Sequence, residues 1–560
     1  MAAPSFVCAN WDPEHTDCQK TGKSACKNCR LVLYCSAACQ RSHWSHHKSE
    51  CKSPLGKETW QPAWALESRK PAFTGDDIGK HFGATKYLWG NIPAYDVLQL
   101  ESNEGKKAMP ETCTSYLQFP TASGDLRNII MTIVRLPSSY SHSIEITMND
   151  RDLDIVARNI IMLLIALTLE EVDEAVDCII HVWYSALVRQ SDIEIFQGRI
   201  RPLIEDVCKK IKDKTSGKLL GKTWKFGQRS LRVVLEKSSW DSLLSFFHKP
   251  AALTTKRAHD IRAEITLAES RIDYRDRHMY RLQALERIAF NKFRQDGLLL
   301  PFGYPRSEFC EPNPTFFQTD TWPMKDSADP LERWPSEDVA NTSSGFATAD
   351  IYGKLFYYIR GLLRSFLDRL SGSTISFKMF QLDVMSLDEH LASDTFNRVE
   401  VSNISDAGYV GIYRTLAWMI PLLQPPTENP YATLITLFMN AVAEVSTSNN
   451  KEIAQISSSK RKPSSPYDPV LVKFSLGLDL VTTYNHILDR YLLNYKFREA
   501  AEHFGATMKE KHTIIDKWPY RLKLWPGQAR AQDEFDRLLS RGTSGQERYI
   551  EWKRANLGMP

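Results

Sequence analysis

The chain has 560 residues, 42% of them hydrophobic and 25% charged, with a formal net charge of +4. That length asks for two or three domains, and that composition belongs to a folded protein, not a disordered one. The charge surplus is too thin to supply the basic cluster on which nucleic-acid or membrane-surface binding depends.

Met1 is followed by AAPSF, with no basic segment and no long apolar run of a secretory signal. The longest apolar run, IIMLLIAL from Ile160 to Leu167, is too short to span a bilayer and is bounded by Arg158 and Glu170. The expectation is an intracellular protein without a membrane segment, in cytoplasm or nucleus, whose cysteines are thiols or metal ligands.

Seven of the eleven cysteines lie in the first 51 residues. Cys26-x2-Cys29 and Cys35-x3-Cys39 can each turn two thiolates onto one ion, and His47-x3-Cys51 places an imidazole and a thiolate one helical turn apart. Zinc takes four such ligands in a tetrahedron, so eight ligands make two closed, structural sites. A segment this short and poor in aliphatic residues has too little core, and bound metal supplies the missing folding energy.

The order C-x2-C, YC-x3-CQ, W, HK-x3-C resembles the MYND zinc finger through Tyr34, Cys35, Ser36, Cys39, Gln40, Trp44, His47, Lys48 and Cys51. The resemblance implies two interleaved Zn2+ ions. Cys8, Cys18, Cys35 and Cys39 would hold one, and Cys26, Cys29, His47 and Cys51 the other. Cys8 and Cys18 stand farther apart than the family's usual C-x2-C, and His15 between them is an alternative ligand. His43 and His46 are expected on the solvated surface. The resemblance also implies docking of a partner's proline-containing peptide around Ser36, Gln40 and Trp44, with Trp44 open to a plainer role of covering the zinc cluster.

After the finger (1–55), residues 56–80 read as a connector carrying Pro62 and Pro71. AYDVLQL reads as a buried strand, 123–137 as a helix capped by Ser123 or Asp125 and ended by Pro137, SIEITMNDRD as a strand, and the segment from Asp152 as a second helix. This α/β rhythm over 81–154 returns at 346–448, where VEVSNI is strand-like and SDAG a turn. Between them lie a largely helical insertion (155–300) and a proline-rich loop segment (301–345). A strong amphipathic helix spans 351–370, a flexible loop 449–469 includes the short basic run Lys460–Lys462, and 470–560 reads as a helical region.

LWGNIPAYDVLQLESNEG, GDLRNIIMTIVRLP, ITMNDRDLDIVARNIIML and VEVSNISDAGYVG together resemble fungal proteins that join a MYND finger to a DUF4470 domain. The same domain type occurs in a dynein axonemal assembly factor. The resemblance implies a Rossmann-like, methyltransferase-like body and, with it, S-adenosylmethionine as the cofactor to test. Such a site needs a glycine-rich loop after the first strand. Here that loop would be Leu100–Gly105, with Gly105 alone and no G-x-G. Asp150 or Asp152 stands where ribose hydroxyls would be held, and Asp406 could face the same crevice; each also suits a helix cap or turn. NHIL at 485–488 lacks the cysteine of the Asn-His-x-Cys element found in SET-domain methyltransferases. Cys113, Cys178, Cys208 and Cys310 read as small packing residues, not nucleophiles.

The missing glycines make a binding role the main expectation: a zinc-binding adaptor or assembly factor whose finger docks a proline-containing peptide and whose body is a scaffold. The alternative is an S-adenosylmethionine-dependent methyltransferase whose finger selects the substrate. Nucleic acid is not an expected partner, since residues 1–60 carry eight Lys/Arg against five Asp/Glu.

Overall fold

Residues 6–12, 16–74, 82–105, 124–391, 395–446, 467–542 and 544–555 are described by the computed structural model of the chain. His15, Cys113, Ser123 and the basic run at 460–462 fall outside them.

The finger comprises two small hairpins and one helix. β1 (Trp11–Asp12) pairs with β2 (Thr16–Asp17), and β3 (Ser24–Ala25) with β4 (Leu33–Tyr34), both antiparallel. Helix α1 (Ala37–Cys51) follows, with Ser36 as its N-cap. Residues 52–74 then run across the body. Ala63 and Ala72 donate backbone N–H groups to Asp276 (2.8 Å) and Asp273 (2.7 Å), and Arg287 reaches the carbonyls of Leu55 and Lys57.

In chain order the main elements of the body are α2 (Arg127–Arg135), β5 (Ile144–Asn149), α3 (Leu153–Thr168), α4 (Val172–Tyr184), β6 (Leu219–Phe226), β7 (Arg229–Glu236), α5 (Ile272–Met279), α6 (Ala284–Asp296), α7 (Ile351–Gly372), β8 (Ile375–Phe380), β9 (Arg398–Glu400), α8 (Ile412–Met419), β10 (Thr433–Phe438), β11 (Ala506–Met508) and β12 (Arg548–Arg554). They build two four-stranded mixed sheets. The first has the order β5-β8-β7-β6, with β5, β8 and β7 parallel and β6 antiparallel at the edge. The second has the order β9-β10-β12-β11, with β9 and β10 parallel and β12 antiparallel to both neighbours.

The register of the first sheet puts Phe377 between Ile146 and Leu231, all three fully buried. This follows from period-two alternation in β8, where Ser376 and Lys378 point the other way. α3 is apolar all round from Val156 to Leu167 and is correspondingly buried on every side. The one charge inside that run, Arg158, is satisfied by the carbonyls of Val182 (3.0 Å) and Trp183 (2.8 Å) and by Thr315, and its guanidinium lies 4.1 Å from the centre of the Phe316 ring. Burial pushes its pKa down to about 9.

Several expectations are corrected. AYDVLQL is not a strand. The N–H of Tyr95 goes to Asn128 and that of Val97 to Thr132, both side chains of α2, and Asp96 accepts from Leu98 within the segment. Gln99 is left-handed at φ +45, which ends any extended run. The stretch 155–300 is not only helical. Residues 219–236 form the β6–β7 hairpin, closed by a two-residue turn with Gly227 at φ +64, and they supply half of the first sheet. Residues 470–560 likewise contribute β11 and β12, so the chain's end completes the second sheet. SIEITMN, the helices at 127–135, 153–168 and 351–372, and the start of VEVSNI have the expected form. No helix among the described residues is long and apolar enough to cross a membrane.

The finger is no bead on a tether. Cys8, Cys26, Leu31, Val32 and Tyr34 belong to the same continuous core as the first sheet and helices α3, α4 and α7. Phe6 meets Tyr357 of α7 edge-on at 5.1 Å, and Ala349 donates its N–H to the Arg30 carbonyl (3.1 Å). Gly303 lies so close that a Cβ there would stand 3.0 Å from that of Ala9.

Arg158→Met is expected to strip the Val182, Trp183 and Thr315 acceptors of a charged donor and to lower stability by about 3 kcal/mol in urea unfolding. An unchanged midpoint would mean that water or a neighbour satisfies those carbonyls.

Candidate metal centre in the N-terminal finger

The four residues Cys8, Cys18, Cys35 and Cys39 bring their Sγ atoms together, and so do the ligand atoms of Cys26, Cys29, His47 and Cys51; each set lies within 4.8 Å. In the first, Cys18–Cys35, Cys35–Cys39 and Cys39–Cys18 are 3.6, 3.4 and 3.8 Å apart. In the second, Cys26–Cys51 is 3.7 Å and Cys29 Sγ lies 3.3 Å from His47 Nε2. A tetrahedron with a metal–sulfur length of about 2.3 Å has edges of about 3.8 Å. The donors therefore already surround two points where zinc fits, and Cys–thiol and imidazole donors are the set that zinc prefers.

Local structure explains the convergence. Cys26 and Cys29 sit on the turn between β3 and β4, closed by Arg30 N–H to the Cys26 carbonyl (2.9 Å) with Arg30 left-handed at φ +53. Cys35 leaves β4, Ser36 caps α1 by accepting from Cys39 N–H (3.2 Å), and Cys39 lies in the first turn. His47 and Cys51 lie one turn apart near the far end of α1. The cap thus points one cysteine pair at the first site, while the helix length carries the other pair to the second. In sequence the ligands go two by two between sites, which cross-braces the segment.

The electrostatics favour thiolates at particular ligands. The Ser36 hydroxyl brings the Cys39 thiol down to about 7. Cys26 is also near 7: burial opposes the thiolate, but the Cys29 backbone N–H and His47 outweigh it. Burial instead drives Cys8 up to about 12 and Cys29 up as well, the penalty that a bound cation removes.

With Nε2 of His47 turned to the second site, its buried Nδ1 has no hydrogen bond and faces Glu50 Oε2 at 3.8 Å. Glu50 in turn pairs with Lys292 of α6. Against the cost of its burial, His47 and Lys292 hold the Glu50 carboxyl down to about 2. This is a carboxylate behind a metal histidine, the arrangement that fixes ring orientation. Sequence reasoning missed Glu50 and Lys292, although an acidic residue three places after His47 on a helix was a usable signal. Asn28 is a further neighbour, donating to the Cys51 carbonyl at 2.9 Å and to its Sγ at 3.2 Å.

His46 is exposed as expected, but His43 is half-buried, 3.0 Å from the Tyr34 hydroxyl, with burial pulling its pKa down to about 4. Ser36 and Trp44 are exposed and Gln40 half-buried, at i, i+4 and i+8 on α1. Trp44 is 36% exposed and touches His47 edge-on at 6.1 Å.

Of the candidate cofactor residues, Asp150 and Asp406 follow strands of different sheets. Asp150 follows β5 of the first sheet and accepts from the N–H groups of Gly124 (3.2 Å) and Asp152 (2.9 Å), leading into α3, whose N-cap is Asp152. Asp406 follows β9 of the second sheet, fully buried, and accepts from Asn440 and Met439. Burial raises both carboxyls to about 6. Gly105 ends a helical turn that replaces the expected loop, at φ +86, and no described residue would touch a Cβ there. Neighbouring side chains there are committed: Glu104 pairs with Arg398, and Asn103 donates to the Tyr431 carbonyl. Of the other cysteines, Cys178 is buried, Cys208 half-buried and Cys310 exposed, the last against expectation.

Two interleaved four-ligand clusters, the second fully buried and the first with Cys18, Cys35 and Cys39 half-buried, define a zinc-finger protein of the double-site kind. The chain carries a MYND finger, matched over residues 16–51, and a domain of unknown function, DUF4470, matched over residues 88–188. Cys8 lies ahead of the matched finger, yet the fold returns it to the first cluster. Among curated proteins, the N-lysine methyltransferase SMYD2 of Mus musculus is 36% identical over 71 residues, 11% of this chain and 16% of that protein. The histone-lysine N-methyltransferase SMYD3 of Homo sapiens is 33% identical over 86 residues, 14% of this chain and 17% of that protein. The chain therefore spans under a fifth of either relative. No solved structure matches it.

Cys8→Ser is expected to lower bound zinc from two equivalents to one by elemental analysis, whereas His15→Ala retains both; the reverse result would make His15 the ligand. Glu50→Gln is expected to weaken the second zinc by about tenfold against a chromophoric chelator, without changing the stoichiometry at saturation.

Proposed function

We propose that the protein is a zinc-dependent interaction adaptor or assembly factor. Its finger docks a proline-containing segment of a partner along α1, and its body, a methyltransferase-like and Rossmann-like scaffold, presents that finger rigidly. One observation carries the reading. Tyr34 of the finger is fully buried, but Trp44 keeps 36% of its surface in solvent on the same helix face as Ser36 and Gln40. An exposed ring flanked by amide and hydroxyl groups suits a rigid proline segment, which loses little entropy on docking. Zinc would act here by holding α1 against the hairpins, since closed sites leave no position for substrate.

The Rossmann-like part of the reading draws support from the parallel pairs β5–β8 and β9–β10 and from the direct β5-to-α3 passage. Methyl transfer, the activity named for the SMYD relatives, finds less support. Asp150 and Asp406 follow strands of different sheets, and Asn485, the nearest equivalent to the Asn-His-x-Cys element, accepts a hydrogen bond from the Trp518 indole at 2.9 Å.

The test is fluorescence anisotropy of a panel of proline-containing peptides against the full-length, zinc-loaded protein. Saturable binding is expected, with Trp44→Ala weakening it by about tenfold or more while two zinc equivalents remain. Loss of zinc in that variant would make Trp44 a cover for the cluster, and a panel without binders would end the docking reading.

A further inference from the structure

A cavity of about 550 Å³ lies in the body, away from the zinc ligands. Its walls come from α5 and α6, from the proline-rich segment, from the loops after β9 and β10, and from the chain near Arg541. Asn403 and Tyr409 enter it from beyond β9, and Met439 and Asn440 from beyond β10. These are the carboxyl ends of a parallel strand pair, where open α/β sheets place their ligands.

The lining is strongly one-sided in charge. Eight Lys and Arg side chains face three carboxylates, an excess of five positive charges. Two of those carboxylates are already paired, Asp326 with Arg271 (2.8 Å) and Glu332 with Arg333 (3.2 Å); Glu547 accepts from Ser544 through Oε1 (3.0 Å), and its buried Oε2 has no hydrogen bond among the described residues. Arg275, Arg277, Arg281, Lys325 and Arg541 form no ion pair among the described residues. Arg541 is 5% exposed and its side chain has no hydrogen-bond partner among them, while its neighbour Gly542 is the residue packed against Glu332. Among the described residues the Arg281 guanidinium has one hydrogen-bond partner, His278 Nδ1 at 2.8 Å, and its buried Nε has none. Burial, ahead of the other charges, lowers Arg281 to about 10 and pushes Arg275 and Arg277 down as well.

Gathering like charges in a partly enclosed site costs stability through desolvation and repulsion. An anion entering the cavity removes that cost, and guanidinium forks match phosphate oxygens in geometry as well as charge. The volume is that of a small-molecule site. S-adenosylmethionine, whose sulfonium and ammonium groups are cationic, is the wrong charge for these walls.

We infer that this cavity binds a small organic or inorganic polyphosphate, held by Arg277, Arg281 and Arg541 at the carboxyl ends of β9 and β10. Its observations are separate from those on the finger, so it stands whether or not α1 docks a peptide.

The experiment uses the full-length, zinc-loaded protein at about 150 mM salt, where exposed surface charges are screened. Thermal unfolding and calorimetric titration are run with tripolyphosphate, ATP, inositol hexakisphosphate and S-adenosylmethionine. At least one of the three polyphosphates is expected to bind saturably and to raise the melting temperature by several degrees. Arg541→Gln and Arg281→Gln should each weaken it by about tenfold or more. Both variants should melt no lower than the wild type without ligand, because each relieves repulsion; should one fail to fold, Arg277→Gln on the cavity wall replaces it. ATP binding about tenfold tighter than tripolyphosphate assigns the site to nucleotides, and inositol hexakisphosphate binding tightest assigns it to phosphorylated polyols. Absence of binding by all three polyphosphates at millimolar concentration, equal binding by wild type and folded variants, or tighter binding of S-adenosylmethionine than of any polyphosphate would overturn the inference.

Discussion

The restraint on which the N-terminal structure depends is the pairing of thiolates and one imidazole from both ends of a 44-residue segment, Cys8 to Cys51, into two clusters. Without a cation in each, buried thiols such as Cys8 and Cys29 resist ionisation and the segment has little else to hold it. The cross-brace is not an independent unit, however. Leu31, Val32 and Tyr34 share the core of the body, and Glu50 ties the metal-facing imidazole to Lys292 on α6. Metal occupancy and body packing are therefore coupled through a short chain of contacts, imidazole to carboxylate to ammonium. The docking is one-sided along α1: Glu50, near its end, pairs with the body, while Trp44, two turns earlier, keeps 36% of its surface in solvent.

The zinc ligands were legible from sequence because their chemistry is sparse and their spacing is local. Cysteines at i and i+3, or a histidine and a cysteine at i and i+4, have few alternative uses. The β5 strand and helices α2, α3 and α7 were legible for a similar reason, since each carries its own periodicity, although the N-cap of α2 is Leu126, without a side-chain cap, where Ser123 or Asp125 was expected. Other features were set by distant partners. AYDVLQL has strand-forming residues, but side chains of Asn128 and Thr132 take the N–H groups that a neighbouring strand would need. The β6–β7 hairpin lies among helices in sequence and pairs with β8, more than 130 residues farther on. The second sheet is completed by β12 at the chain's end, where Glu551 is buried and paired with Lys509. The cavity was illegible because its cations arrive from α5, from 325–333 and from Arg541, and no window of the sequence shows that they face one space.

The two candidate sites differ in how the protein meets the cost of polar burial. In the finger the cost falls on thiols and is removed by metal. In the body both terminal nitrogens of Arg158 find acceptors, the carbonyls of Val182 and Trp183 and the Thr315 hydroxyl, with an aromatic ring beneath the guanidinium, and Nε alone is left without one. Arg541 and Arg281 show the opposite case, charges placed near one another with few acceptors. The contrast within one chain is why the cavity reads as a place for a ligand and not as ordinary core polarity.

The β6–β7 hairpin also bears on how the protein behaves in a crowded solution. Three parallel strands alone would end in an open row of backbone donors and acceptors, a template for strand addition by a second molecule. β6 turns back antiparallel and becomes that outer rim. Its residues include Lys222, whose ammonium leans over the Trp224 ring at 5.9 Å, and the exposed Lys225. Lysines on an edge strand disfavour the approach of a second strand, whose pairing would crowd those ammonium groups. A segment that the sequence pattern placed within a helical region thus supplies one edge of the sheet, and that edge carries lysines.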